Sequence, residues 1–404
     1  MVDGSGLPGG AGTLVEALAQ RGVSRRRFLQ FCTSMTAALA LPRSYTPRIV
    51  AALSAQVKPT LVWLEFQDCA GNTESFLRSP NPDVAELVIE ILSVPYQETI
   101  MAAAGKQAEA NLDDVVTRLK GQYVCVVEGS IPMAEGGIFC TIGGRTALDI
   151  ATRVTRDAAL VVAVGDCAWD GGFVSLGPTN GVGIGQAVSG LSPINLGGCP
   201  HNSVNLAATL VHYLTFGTAP ALDQFGRPLF AYGHLIHDQC ERRAHFDAGR
   251  FVEQWNDQGA QSGWCLYKMG CKGPQTNYNC SIARWNDATN WPIGAGHGCI
   301  GCAGPSFWSR MSPFYSRLPD VQMIGVDTTA QTIGLVAIGG VAALTAVHGA
   351  GVIARMQRNK RKRAAVTPDG HVVPEVAAAP DAGAGTAGDA GAGTAGDAGV
   401  GGTN

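Results

Sequence analysis

Leu61-Val-Trp-Leu-Glu-Phe66 is an apolar run of strand length, and Gln67-Asp68-Cys69 follows it at once. A short run rich in branched and aromatic side chains reads as a buried strand. Residues 123–127, 160–164 and 193–196 read the same way, and helical stretches are expected near 84–92, 112–120, 147–156 and 204–214. Strands alternating with helices predict an α/β fold, a parallel sheet with helices on both faces. In such sheets ligands sit beyond the carboxyl ends of the strands. Cys69, Cys167 and Cys199 each follow a candidate strand by a few residues, so three cysteines distant in sequence are expected to meet at one edge.

Downstream the chain changes character. Residues 236–320 are rich in Cys, Gly, Trp, Asn and Pro and show little periodicity, which predicts a second, irregular domain whose folding depends on bound cofactors. Residues 333–354 form a largely apolar segment, long enough to span a bilayer as a helix and carrying one strongly polar side chain, His348. Arg355, Arg358, Lys360, Arg361, Lys362 and Arg363 follow immediately, which predicts that this end faces the cytoplasm and the folded body lies outside. Residues 365–404 are Ala, Gly, Asp, Thr and Pro, with Asp recurring at 381, 389 and 397, and read as a disordered tail.

Upstream, residues 1–23 are a polar, Gly-rich leader. Ser24-Arg25-Arg26-Arg27-Phe28-Leu29-Gln30 and a short apolar run to Leu41 then describe a signal peptide rather than a span. The Arg25-Arg26 pair with Phe28 and Leu29 resembles the twin-arginine signal, which carries folded proteins, with cleavage expected near Ala52 to Ala55. Residues 1–55 are therefore read as a signal region, 56–235 as the sheet domain, 236–325 as the cysteine-rich domain, 333–354 as a membrane anchor, and 355–404 as a basic stop and tail.

The 404 residues carry a formal charge of −3, which gives no reason to expect a nucleic-acid partner. Cysteine is the informative residue, with 12 in the chain. A disulfide scaffold is one reading of an exported, cysteine-rich chain. Six of the cysteines, however, crowd into residues 240–302 beside His237, which suits soft-metal ligation better. His237, Cys240, Cys265 and Cys271 suit a [4Fe–4S] cluster or zinc. Cys280, Cys299 and Cys302 make only three thiolates, with Pro292 where a fourth ligand is expected. That suits a [3Fe–4S] cluster, since zinc takes four ligands. With Cys69, Cys167 and Cys199, three soft sites in one chain read as a conducting series.

Several segments together resemble the small subunits of [NiFe] hydrogenases. They are Trp63-Leu-Glu-Phe-Gln-Asp-Cys69-Ala-Gly-Asn72-Thr-Glu74-Ser75, Glu128-Gly-Ser-Ile-Pro132, Gly165-Asp-Cys167-Ala-Trp-Asp-Gly-Gly172 and Gly198-Cys199-Pro200. Ile236-His237-Asp-Gln-Cys240-Glu-Arg-Arg243, Gly263-Trp-Cys265 to Cys271-Lys-Gly-Pro274, and Trp291-Pro-Ile-Gly-Ala-Gly-His297-Gly-Cys299-Ile-Gly-Cys302 complete the match, which runs from about 20 to 360. The resemblance implies a flavodoxin-like sheet domain followed by an iron–sulfur domain and a transmembrane helix. It implies a proximal [4Fe–4S] cluster on Cys69, Cys167 and Cys199, a medial [3Fe–4S] on Cys280, Cys299 and Cys302, and a distal [4Fe–4S] on His237, Cys240, Cys265 and Cys271. Nickel and iron would belong to a separate large subunit. Electrons would pass from there to a membrane cytochrome b and quinone, with the body on the periplasmic side.

One departure stands out. The family's first motif is C-x-G-C, and here it reads Cys69-Ala70-Gly71-Asn72, so the proximal site lacks one thiolate. Asp170 is slightly preferred over Asn72 as an oxygen ligand in its place, with Cys140 and Glu98 as further candidates. Gly71 and Gly172 occupy the positions where some oxygen-tolerant relatives carry two extra cysteines. Glu74 is read as aiding proton exit, touching the large subunit or serving a purely structural role. Cys125, Cys32 and Cys140 are read as structural, His348 as a partner of a neighbouring helix or a haem, and Trp264 and Trp291 as shields against water. A hydrogen-sensing regulatory subunit and an exported disulfide or zinc protein are the alternative functions.

Overall fold

The computed structural model describes residues 24–55, 59–79, 92–286, 288–315, 321–323, 326–328 and 330–364. Strands β1 (Thr60–Glu65), β2 (Ser93–Gln97), β3 (Tyr123–Glu128), β4 (Leu160–Val164) and β5 (Ile194–Leu196) form a sheet in the order β2-β1-β3-β4-β5. Every adjacent pair is parallel. The four expected strands are present. The fifth, β2, escapes the sequence reading because Pro95 interrupts it, and an edge strand tolerates a proline that a central strand does not. The helix expected at 84–92 lies, but for its last residue, outside the described residues.

Residue alternation along the strands sends two sets of side chains to opposite faces. Val62, Leu64, Cys125, Val127, Val161 and Ala163 pack under α4 (Lys106–Arg118) and α5 (Ala147–Arg156). Leu61, Trp63, Val124, Val126, Val162, Val164, Ile194 and Leu196 pack under α7 (Ser203–Phe216). Between them in the chain, α3 (Gly71–Leu77) follows β1 and α6 (Gly165–Asp170) follows β4 directly. The N-terminal segment joins the α7 side: α1 (Arg25–Ala38), its cap Leu39 and α2 (Thr46–Ala55) place Phe28, Phe31, Cys32, Met35, Leu39, Ile49 and Leu53 in the same core.

Beyond α7 the chain is built of short turns. Tyr232, Ile236, Tyr278, Trp291 and Ile293 join the core beneath the α7 face, so the cysteine-rich region is continuous with the sheet rather than separately packed. The described residues before Val321 form one compact unit and those from Val321 a second. In the latter, α8 (Ala330–Ala364) is a single helix long and apolar enough to cross a membrane, with Leu335, Val336, Ile338, Val341, Leu344 and Val347 all exposed. The helix is longer than the expected anchor because the basic block continues it without a break.

Candidate functional site

All 12 cysteines are free thiols, which leaves the disulfide reading without support. Among the described residues no three His, Cys, Asp or Glu donors converge on a point as a single metal ion requires. The thiols instead stand around spaces.

Cys69, Cys167 and Cys199 lie just past the carboxyl ends of β1, β4 and β5, as the strand-end rule predicts. Cys69 and Cys199 are exposed residues at this edge. Burial pushes the Cys167 thiol up to about 12, and negative charge at Cys199, Asp166 and Cys69 adds to it. Burial and nearby negative charge hold Cys167 and Cys199 protonated, so a cation beside them is needed to make them thiolates. Two glycines crowd the same sulfurs: a Cβ at Gly172 would lie 2.5 Å from Cys167 Sγ, and one at Gly71 would lie 3.1 Å from Cys69 Sγ. Side chains at these two positions would touch the sulfurs directly.

The candidate oxygen ligands differ. Asn72 is buried in the first turn of α3, and its Oδ1 accepts from His201 N at 2.8 Å with His201 Nδ1 at 3.2 Å. Asp170 ends α6. Its Oδ2 accepts from Ser306 N at 2.8 Å, while its Oδ1 is buried without a partner. Burial raises its pKa to about 7, although the Ser306 and Gly172 N–H groups work against the shift. Cys140 and Glu98 share their surroundings: burial raises Cys140 to about 11, and negative charge at Glu98 and Asp68 adds to it. Glu98 accepts from Tyr96 OH at 3.0 Å.

Cys280, Cys299 and Cys302 line a cavity of about 400 Å³ walled by Trp285, Trp291, Pro292 and Ile293. Pro292 offers this cavity no donor atom, in keeping with a three-thiolate site. Burial lifts the Cys280 thiol to about 12 and the Cys299 and Cys302 thiols upward as well, so each is neutral unless a metal compensates. Trp291 Nε1 is buried with no partner in the chain, an orphaned donor that a bound sulfide would satisfy. Gly301 N, in a left-handed turn, donates to Cys299 Sγ at 3.3 Å.

His237, Cys240, Cys265 and Cys271 line a third, narrower space with Arg242 and Ile293. Arg242 N donates to Cys240 Sγ at 3.4 Å, and the Arg242 guanidinium is anchored on Trp264 O at 2.8 Å. Burial lowers the pKa of His237, with Arg243 adding to the effect, which keeps the imidazole neutral as a metal ligand must be.

The three sets adjoin. Cys199 of the edge set also lines the 400 Å³ cavity, and Cys271 Sγ of the third set accepts from Cys299 N at 3.3 Å. The set of Cys280, Cys299 and Cys302 therefore lies between the other two, although it comes last in sequence. Sequence reasoning gave Arg242, Trp285 and Glu128 no individual role. Glu128 is wholly buried and accepts from Asn72 N at 2.8 Å and Thr73 N at 2.9 Å, fixing the helix start after Cys69.

Comparison with known proteins covers both halves of the body. Residues 69–213 match the family described as NADH ubiquinone oxidoreductase, 20 Kd subunit, and residues 232–315 match the family of the C-terminal region of NiFe/NiFeSe hydrogenase small subunits. The uptake hydrogenase small subunit of Azotobacter vinelandii is 42% identical over 356 residues, spanning 87% of this chain and 98% of that protein. The quinone-reactive Ni/Fe-hydrogenase small chain of Wolinella succinogenes is 40% identical over 353 residues, spanning 85% and 99%. Among solved structures, a chain of the reduced, active Ni-Fe-Se hydrogenase of Desulfomicrobium baculatum aligns with a TM-score of 0.61 and 28% identity, covering 65% of this chain and all of that one.

Proposed function

This chain belongs to the small subunits of nickel–iron hydrogenases, and from that membership we propose how its thiols carry the family's electrons. It is the electron-transfer subunit of a heterodimeric hydrogenase, with the nickel–iron centre in its large-subunit partner. Cys69, Cys167 and Cys199 hold a proximal [4Fe–4S] cluster. Cys280, Cys299 and Cys302 hold a medial [3Fe–4S] cluster, and His237, Cys240, Cys265 and Cys271 hold a distal [4Fe–4S] cluster. The observation that carries this reading is the adjoining of the three thiol sets, through Cys199 on one side of the medial cavity and through Cys271 and Cys299 on the other.

When bound, the clusters supply one-electron redox chemistry at sulfur-ligated iron. The chain's residues supply the surroundings. Backbone N–H groups of Arg242, Cys299 and Gly301 donate to cysteine sulfur, Trp285 donates to the Cys280 thiol, and Trp291 and Ile293 exclude water. The proximal cluster takes an oxygen ligand in place of the missing thiolate. Asp170 is favoured over Asn72 because its carboxyl Oδ1 is buried without a hydrogen-bond partner and bound iron would hold it ionised, whereas Asn72 Oδ1 is already engaged. The sheet order read along β2-β1-β3-β4-β5 supports a flavodoxin-like topology. The twin-arginine segment, α8 and the basic residues after Val352 support a periplasmic body anchored in the membrane. A cytochrome b with quinone is the acceptor in this reading, which the quinone-reactive relative supports.

EPR of the heterodimer tests the assignment. A [3Fe–4S] signal is expected in the air-oxidised complex, lost under hydrogen as reduced [4Fe–4S] signals appear. Absence of iron, sulfide and any such signal from the complex would end the reading. Asp170→Ala is expected to alter the proximal signal alone, and an unchanged spectrum removes Asp170 as ligand. Arg242→Gln removes a positive charge beside Cys265 and Cys271. The oxidised distal cluster then gains relative to the reduced one, and its potential is expected to fall by some tens of millivolts, on the order of tenfold in the one-electron equilibrium. A redox titration followed by EPR reads this shift.

A further inference from the structure

We propose that in the full-length chain residues 24–55 dock on the body as a helical hairpin that completes the cover on the α7 side of the sheet and holds the expected cleavage stretch in a helix anchored by buried Leu53. An export signal needs only a short apolar run and has no need of a one-sided apolar stripe. Here α1 buries Phe28, Phe31, Cys32, Met35, Thr36 and Leu39 along one side and exposes Leu29, Gln30, Thr33 and Ser34 on the other. The spacing of three and four residues is that of a helix designed to lie on a surface. Ser24 caps it by accepting from Arg27 N at 3.3 Å.

The hairpin is closed by Thr36 Oγ1 and Thr46 Oγ1 at 2.9 Å. On α2, Ile49 is wholly buried and Leu53 nearly so. Tyr45 packs on Phe216, at the end of α7, with ring centroids 6.0 Å apart, and the Arg48 guanidinium lies 4.6 Å from the same ring. These leader side chains share one core with Leu206 and Leu210 of α7 and with Leu61 and Trp63 of β1. A parallel sheet needs both faces covered. The opposite face has α4 and α5, and here the hairpin stands beside α7 in the corresponding role.

The cleavage stretch, Ala52 to Ala55, is the last turn of α2. A protease needs extended chain, so its rate on a docked segment follows the population of the opened form. Removal of the leader therefore requires undocking first. At the hairpin's turn, Ala37 to Leu41 border a cavity of about 670 Å³ shared with Val204, His212 and Pro220. The twin-arginine residues Arg25 and Arg26 stay exposed throughout. This consequence for processing rests on the export reading above, whereas the docking does not.

Cys32 reports the docking because it is wholly buried in the hairpin interface. In the cluster-loaded, full-length heterodimer, alkylation of Cys32 is followed by peptide mass spectrometry, and trypsin cutting at Arg43 and Arg48 is timed alongside. Both are expected to be slow in the wild type and in the exposed-face control Thr33→Asp. Ile49→Asp, which puts a charge into the interface, is expected to accelerate both by on the order of tenfold or more. Should Ile49→Asp fail to accumulate, Leu53→Ala gives the milder version, and the wild type in urea supplies the undocked rate. Wild-type Cys32 that reacts as fast as in urea overturns the proposal. Protected Cys32 in a chain that is not exported leaves the docking standing and removes only the export reading.

Discussion

Replacing Cys299 by serine is expected to cost the medial site its cluster and the protein much of its stability. Cys299 is the joint between two thiol sets. Its thiol faces the medial cavity, its backbone N–H donates to Cys271 Sγ at 3.3 Å, and its carbonyl accepts from Lys272 N at 2.7 Å. Burial holds the free thiol protonated, so only bound metal makes the thiolate favourable here. Serine offers a harder and more basic oxygen, a poor match for sulfur-bridged iron. Structural metal sites contribute on the order of 10 kcal/mol to folding. A typical domain has in total only about 5–15 kcal/mol. The region that would lose this support shares its core with the sheet through Tyr232, Ile236 and Trp291, so destabilisation would reach beyond the loop itself. Iron and sulfide content, the [3Fe–4S] EPR signal and thermal unfolding of the heterodimer check this, together with hydrogen-dependent quinone reduction. Cys125→Ala is the control. Cys125 is wholly buried in β3 among α4 and α5 side chains and away from all three sets. It is expected to cost about 1 kcal/mol and leave every signal in place. If Cys299→Ser kept the medial signal and the wild-type melting temperature, Cys299 would not be a ligand.

The sheet was legible because its strands are short, nearly continuous apolar runs, and such runs have few other uses. β2 was not, since Pro95 breaks the run and only the edge position makes that tolerable. The meeting of Cys69, Cys167 and Cys199 followed from strand ends alone. The order of the other two sets did not. His237 to Cys271 precede Cys280 to Cys302 in sequence, yet the later set lies next to Cys199, and nothing local encodes that inversion. The three groupings were readable from the clustering of Cys240 to Cys302 beside His237 and from the strand ends, and the resemblance added which cluster each would hold. The leader is conspicuous for its arginines and apolar run. Its stripe of buried side chains at helical spacing is equally present in the sequence, but a signal region is not expected to pack. Polar partners were the least accessible. Glu128 meets residues more than 50 positions away, and a glutamate at the end of an apolar strand carries no sign of what it will accept.

That glutamate leads to the second large effect: Glu128→Ala is expected to destabilise the protein by about 3–5 kcal/mol, the sum over the buried donors it would leave unpaired. α3 begins without an ordinary cap, because its N-cap residue Ala70 has φ +54° and no side-chain acceptor. The helix-start donors go elsewhere. Ala70 N donates to Asp68 Oδ1 at 2.7 Å, Asn72 N to Glu128 Oε1 at 2.8 Å, and Thr73 N to Glu128 Oε2 at 2.9 Å, which also accepts from Trp63 Nε1 at 3.3 Å. Alanine would leave Asn72 N, Thr73 N and Trp63 Nε1 buried and unpaired at about 1–3 kcal/mol each, less whatever water recovers, while Ala70 N keeps Asp68. Thr73 Oγ1 lies 2.6 Å from both Glu128 Oε2 and Glu65 Oε1, and its one proton serves only one of them. A proton on one carboxyl satisfies the other contact, and burial pushes the Glu128 pKa upward against its Thr73 and Asn72 donors. Glu128→Gln therefore separates acceptor from charge. It keeps one oxygen for the helix start and is expected to lose roughly half as much stability as alanine, by the same count of orphaned donors. Chemical unfolding of the heterodimer measures both variants. Because the helix start directly follows Cys69, the proximal signal is expected to broaden in Glu128→Ala while the medial signal stays unchanged. An alanine variant within about 0.5 kcal/mol of the wild type, the range of an ordinary surface change, would mean that water or Glu65 takes over these donors and that Glu128 does not hold the turn.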